Sequence, residues 1–172
     1  ETDGGGAAAE RALASPVASA AVELFSDGRV LCRLMGSPEA VTRAAAELGW
    51  ERASHAAWSD HALQAPRTWA RIAVPRSALR TVMEALPAGA EWWASAGTGA
   101  GYWSIDENPD AVREMRRLAE SAKGTLTLMD APEDFVRQVG AWGTAPETID
   151  VMRRIKHAFD PTDVLNPGRF VY

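Results

Sequence analysis

Trp58, Arg67, Trp69 and Arg71 stand close together in the chain, two indole rings beside two guanidinium groups. That combination can wall a small-molecule pocket and offer an arginine to a substrate carboxylate, or it can seal the interface between two structural units. His61 follows Trp58 by three residues, so on one helical turn it would face the same cleft; a packing or surface histidine is the plainer alternative. The second chemistry-bearing group is terminal. Pro167 pushes Asn166 out of the right-handed helical region and Gly168 admits a positive φ, so residues 166–169 should form a tight turn that carries the Asn166 amide and the Arg169 guanidinium on one side. Just upstream, Asp160 is a good N-cap, Pro161 suits a first helical position and Asp163 favours the helix dipole, which predicts one helical turn there. A plain clamp also fits, with Val164, Leu165, Phe170 and Tyr172 pinning the terminus to the core.

Other chemistries find no support. Gly97-x-Gly99-x-Gly101 is not followed by a helix, whereas a dinucleotide loop needs a helix N-terminus for the pyrophosphate, so a hairpin turn is expected. His55, His61 and His157 lack metal-ligand spacing, and no nucleophile elbow is present. The lone Cys32 lies in an apolar run that reads as a strand rather than a reactive site. A net charge of −5 with scattered basic residues argues against a nucleic-acid surface. No apolar run approaches the roughly 20 residues of a membrane span, and no signal peptide is visible; a cytoplasmic location is the expectation. The first residue is Glu1 rather than methionine, which suits a fragment or a processed product.

These groups must be held by a core, and 172 residues at 47% hydrophobic suffice for one domain. Residues 1–14 read as a helical or linker segment and residues 15–172 as the domain proper. A hairpin is expected from Ala21–Phe25 and Arg29–Met35, then a helix opened by Ser37-Pro38-Glu39 and stopped by Gly49, with Val41, Ala44, Ala45 and Leu48 on one face. Residues 50–66 are irregular, with a short strand and a short helix near 57–63. The pattern then runs β(69–74) α(76–86) β(91–95) β(101–105) α(109–122) β(125–129), the order of a ferredoxin-like split βαβ unit. Trp92, Trp93 and Trp103 should pack on both faces of the hairpin, and Arg113, Glu114, Arg116, Arg117 and Glu120 should face water. The fold class is α+β, an antiparallel sheet with helices on one side, ended by a helix over 146–158 and the terminal turn.

With these pieces in order, several segments resemble the C-terminal domain of FAD-linked oxidases, above all the FAD-binding subunits of bacterial glycolate oxidase. They are residues 31–41, Trp69-Ala-Arg-Ile-Ala-Val-Pro75, the Trp92-Trp93 hairpin, residues 124–129 and chiefly Phe159-Asp-Pro-Thr-Asp-Val-Leu-Asn-Pro-Gly-Arg169. The resemblance implies a cap that covers an isoalloxazine ring and shapes a 2-hydroxy-acid pocket, while a separate domain holds most of the FAD. It implies hydride transfer to the flavin, with the cap positioning substrate and excluding water. It would set Asn166, Pro167, Gly168 and Arg169 near the flavin, and Trp58, His61, Arg67 and Trp69 around the substrate. The implied partners are the FAD-binding domain of the same protein and other oxidase subunits. Related catalytic subunits carry Trp-x-x-Arg, whereas the fourth position here is His61, and a Gly-Asp-Gly-Asn-type metal motif is missing; both departures suit an accessory subunit. The competing reading is a stand-alone ferredoxin-like binding or assembly module without catalysis.

Overall fold

In the computed structural model, residues 4–15, 19–58 and 68–167 are described. Helix α1 (Gly4–Ala14) precedes a hairpin of β1 (Ser19–Phe25) and β2 (Val30–Leu34), and α2 (Pro38–Leu48) follows. Then come β3 (Trp69–Ala73), α3 (Arg76–Glu84), β4 (Trp92–Ser95), β5 (Ala100–Ser104), α4 (Pro109–Ser121), β6 (Thr125–Asp130), α5 (Glu133–Val139) and α6 (Ile149–Phe159). All six strands join one antiparallel sheet in the order β2-β1-β4-β5-β3-β6. The β4-β5-β3-β6 portion is a complete split βαβ unit, and the β1–β2 hairpin extends it past β4.

Local chemistry places the helices where the sequence expects them. The Ser37 hydroxyl accepts from the Ala40 amide at 3.3 Å, Pro38 opens α2, and Gly49 closes it at a φ of 64°. The Asn108 side chain accepts from the amides of Asp110 and Ala111 and Pro109 opens α4. The α3 stripe Leu79, Val82 and Met83 and the α4 stripe Val112, Met115 and Ala119 bury against Ala70, Ile72, Ala94, Trp103 and Leu126 on one face of the sheet. Leu24 of β1 is paired with Ala94, so its side chain lies on that face too, and α1 covers the neighbouring Val22 with Ala9 and Ala12. Helix α1 begins earlier than propensity suggests because Gly5 is pressed onto the hairpin, where a Cβ would stand 2.8 Å from the Gly28 carbonyl oxygen.

Some expectations change. The α2 residue Ala45 is exposed, because that side of the helix lines an open groove rather than the core. Residues 51–54 have no regular structure and 55–58 form a helical turn, while 59–67 lie outside the described residues. Helix α5 was not anticipated, although Glu133 and Asp134 in its first turn and the buried pair Phe135 and Val139 mark it. Arg116 and Glu120 are half-buried instead of facing water. The Arg116 guanidinium donates to the carbonyls of Val139 and Gly140, and the Glu120 carboxylate accepts from the Thr144 amide at 2.8 Å and the Thr144 hydroxyl at 2.9 Å. Helix α4 thereby grips the chain just before it enters α6.

Candidate functional site

Helix α6 and the turn after it form the first candidate surface. The helix carries Asp150 in its first turn and Lys156 and His157 in its last, as the macrodipole favours, yet it buries none of its side chains. Val151, Ile155 and Phe159 fall at i, i+4 and i+8 on one face and are 44%, 54% and 83% exposed. Val164 and Leu165 continue the apolar surface at 68% and 59% exposed, so these two residues do not pin the terminus to the domain's own core. Phe170 and Tyr172 lie outside the described residues.

Asp160 organises this turn in a way the sequence reading did not anticipate. It ends α6 rather than opening a new helical turn, and only a single turn at Pro161-Thr162 follows, with the Asp163 amide bonded to the Asp160 carbonyl at 3.1 Å. Its buried carboxylate, 4% exposed by residue, accepts from the amides of Val164 at 3.0 Å and Leu165 at 2.9 Å and pairs with the Lys156 ammonium. Lys156 also reaches Asp163 at 2.9 Å and the Leu165 carbonyl at 3.2 Å. The hydrogen bond from Lys156 is the main reason that the Asp160 carboxyl sits below its ordinary range, and the same bond raises Lys156. A carboxylate satisfying two amides further along is a different use of the same residue from an N-cap. Asn166 adopts a φ of 48°, consistent with its exclusion from the right-handed helical region, and both Asn166 and Pro167 are exposed. Gly168 and Arg169 lie outside the described residues.

The second candidate surface is the helix-free face of the sheet. Trp69, Arg71 and Ala73 alternate with the buried Ala70 and Ile72, which sends them to this face. Register carries the face across to Tyr102, opposite Arg71, and then to Trp93, opposite Tyr102. Trp69 and Tyr102 approach at 5.9 Å between ring centroids, while Tyr102 and Trp93 stack at 5.0 Å with planes 17° apart. Trp92 and Trp103 pair on the opposite, core face, so the tryptophans do divide between the two sides of the hairpin. Farther along the helix-free face, Glu23 is buried opposite Ser95; burial raises its carboxyl above the ordinary range and a hydrogen bond with the Ser95 hydroxyl acts the other way.

Trp58 belongs to neither surface. It lines a groove of about 770 Å³ between β2 and α2, with Leu31, Val41 and Trp50, and the Arg33 guanidinium lies 6.0 Å from its ring centre. Three strands separate β2, beside which Trp58 lies, from β3, which carries Trp69, a strand-to-strand span of roughly 19 Å at a spacing of about 4.8 Å. His61 and Arg67 lie outside the described residues. Tyr102 escaped the sequence reading, although the paired order Trp92-Trp93 and Tyr102-Trp103 in one hairpin is a usable signal.

The glycine triplet is structural. Residues 96–99 form the β4–β5 turn; Gly99 has a φ of 79° and its carbonyl accepts from the Val74 amide at 3.0 Å, while a Cβ on Gly101 would meet the Met83 sulfur at 2.4 Å. Cys32 is half-buried on β2, and burial pushes its thiol up, as expected of an inert position. Among the described residues no group of three or more His, Cys, Asp or Glu side chains could hold a metal ion. No helix among them is long and apolar enough to cross a membrane.

Against known proteins, residues 138–170 match the family described as FAD linked oxidases, C-terminal domain. The match spans the end of α5, all of α6 and the terminal turn, and it supports a C-terminal domain of an FAD-linked oxidase. No curated protein matches the chain.

Proteins of that family use FAD. The described residues do not fit the role of holding the dinucleotide. The terminal turn sits at the C-terminal, electronegative end of α6 and brings Asp160 and Asp163 with it, the wrong chemistry for a pyrophosphate, and the glycine-rich β4–β5 turn is packed against the Val74–Arg76 backbone and Met83.

Proposed function

We propose that this chain is the substrate-covering C-terminal domain of a glycolate oxidase-like, FAD-dependent oxidoreductase that acts on a 2-hydroxy acid, and that it docks through α6 and the following turn on a domain that holds the flavin. The observation that carries this reading is the coincidence of the family match with the unpartnered apolar face. Val151, Ile155, Phe159, Val164 and Leu165 are exposed in the very segment that resembles FAD-linked oxidases. Surface helices ordinarily bury such a stripe. On this reading Asn166, Pro167, Gly168 and Arg169 approach the flavin from the docked turn, and the helix-free sheet face closes over the substrate and keeps water out. Trp58, His61, Arg67 and Trp69 are the residues proposed to shape access to the substrate. The protein would work in the cytoplasm with other oxidase subunits.

The test is reconstitution with a flavin-binding domain encoded beside this one. The isolated chain should be colourless and inactive, and should form a one-to-one complex with that domain. Ile155→Asp combined with Phe159→Asp should weaken the complex at least about a hundredfold, since two apolar side chains would lose their burial. Unchanged binding by the double variant would rule out α6 as the docking face. Failure of the wild-type chain to bind any flavin domain, with capture of a non-flavin subunit instead, would favour the assembly-module reading.

A further inference from the structure

We infer that the helix-free face selects a 2-hydroxy acid that carries an aromatic or comparably broad apolar substituent, its carboxylate held between Arg71 and Lys123. This deepens the proposed function and rests on it. Two independent features converge on one strip of the sheet. The first is a ladder of rings, Trp69, Tyr102 and Trp93, running across three neighbouring strands with consecutive centroids 5.9 and 5.0 Å apart. Such a ladder offers a flat apolar platform far wider than a two-carbon acid can cover.

The second feature is cationic. Arg71 stands directly across from Tyr102, and it lines a concavity of about 320 Å³ together with Lys123, Thr98 and the Gly99 turn. Neither Arg71 nor Lys123 forms an ion pair or a side-chain hydrogen bond among the described residues. Lys123 lines the concavity from the turn between α4 and β6, where its backbone has a φ of 61°. Along β3 the order is therefore ring platform at Trp69, guanidinium at Arg71 and concavity at Ala73. A ligand with a negative end and a flat apolar body matches that order, whereas glycolate would use the cationic end and leave the rings bare. The planar guanidinium suits a carboxylate in a bidentate pair, and the lysine adds a second charge.

Titration of the chain followed by tryptophan fluorescence, excited where a phenyl ring does not absorb, tests this with phenyllactate, glycolate and benzyl alcohol. Phenyllactate should give a saturable change at least about tenfold tighter than glycolate, reflecting burial of one ring. Arg71→Gln and Lys123→Gln, both at exposed positions, should each weaken phenyllactate several-fold and leave benzyl alcohol unaffected. Tyr102→Leu should collapse the preference over glycolate while leaving glycolate binding in place. Equal affinity for glycolate and phenyllactate, no saturable change with either acid, or unchanged affinity in both charge variants would overturn the inference. Loss of flavin-domain docking with the aryl-acid preference intact would instead sink the docking reading, so the two failures are distinguishable.

Discussion

The glycine triplet offers a graded test of how this sheet is built. An alanine at Gly99 would need a left-handed backbone, costing about 1–2 kcal/mol, and would drive its Cβ to 2.1 Å from the Val74 carbonyl oxygen. That oxygen belongs to the backbone beside the edge of α3 and cannot swing away, so overpacking adds about 1–3 kcal/mol and the total comes to about 2–5 kcal/mol. At Gly101 the obstacle is the Met83 sulfur at 2.4 Å, the flexible part of a side chain, and the cost falls to about 1–3 kcal/mol. At Gly97 the nearest atom is Leu13 Cδ2 at 3.9 Å, an ordinary contact, and the change should lie within about 0.5 kcal/mol. Urea unfolding of the three variants, followed by tryptophan fluorescence and far-ultraviolet circular dichroism, should rank them Gly99→Ala, Gly101→Ala, Gly97→Ala from most to least destabilised. With total stabilities of about 5–15 kcal/mol, the first is large enough to shift a melting temperature by about 4–20 °C. A neutral Gly99→Ala, or a Gly97→Ala as damaging as Gly99→Ala, would refute this account of the loop.

Ile72→Ala, which empties a fully buried site in the middle of β3, should cost about 2–5 kcal/mol in the same unfolding experiment. Glu23 has a raised folded-state pKa, so its favourable contribution is present below the ordinary carboxylate range and is lost as pH rises through the raised value. Glu23→Gln should therefore stabilise the fold near pH 7 and show a shrinking gain toward pH 4, as read from unfolding curves across pH. Asp160 has the opposite sign: its contribution is present above the ordinary range and disappears as pH falls through its lowered value. Asp160→Asn should reduce amide-exchange protection at Val164 and Leu165 at neutral pH while leaving Ile72 and Leu126 protected, and acidification of the wild type should have the same local effect.

Much of the fold was readable because its signals are local. The Ser37-Pro38-Glu39 and Asn108-Pro109-Asp110 starts, the 3.6-residue stripes of α3 and α4, and the turn at Gly97–Gly99 each act within a few residues. Position 120 defeats such reasoning, since a glutamate on an apparently wet helix face becomes a clamp only because Thr144 returns to it from 24 residues away. Asp160 was misread for a related reason. Its neighbours Pro161 and Asp163 spell a helix start, but Lys156 on the preceding turn captures the carboxylate and turns it toward the amides of Val164 and Leu165. Trp58 and Trp69 lie near each other in the sequence, which suggested one pocket wall or one sealed interface; sheet order, which no local pattern encodes, leaves Trp58 in a helical turn beside β2 and Trp69 on β3, with three strands between.

The exposed face of α6 also bears on when that helix exists. A helix of 11 residues with no buried side chain is near the length at which isolated helices are marginal in water. What supports it here is its tether to α4 before it, the Asp150–Arg153 pair at 3.3 Å within it and the Lys156–Asp160 pair after it. If α6 docks as proposed, its ordering and its association with the docking surface are coupled processes. Any change that stiffens α6 raises affinity without adding a contact, and any change that frays it lowers affinity without removing one. Lys156, whose contacts among the described residues are with Asp160, Asp163 and Leu165 of its own turn, would on that reading control recognition strength through the helix it finishes.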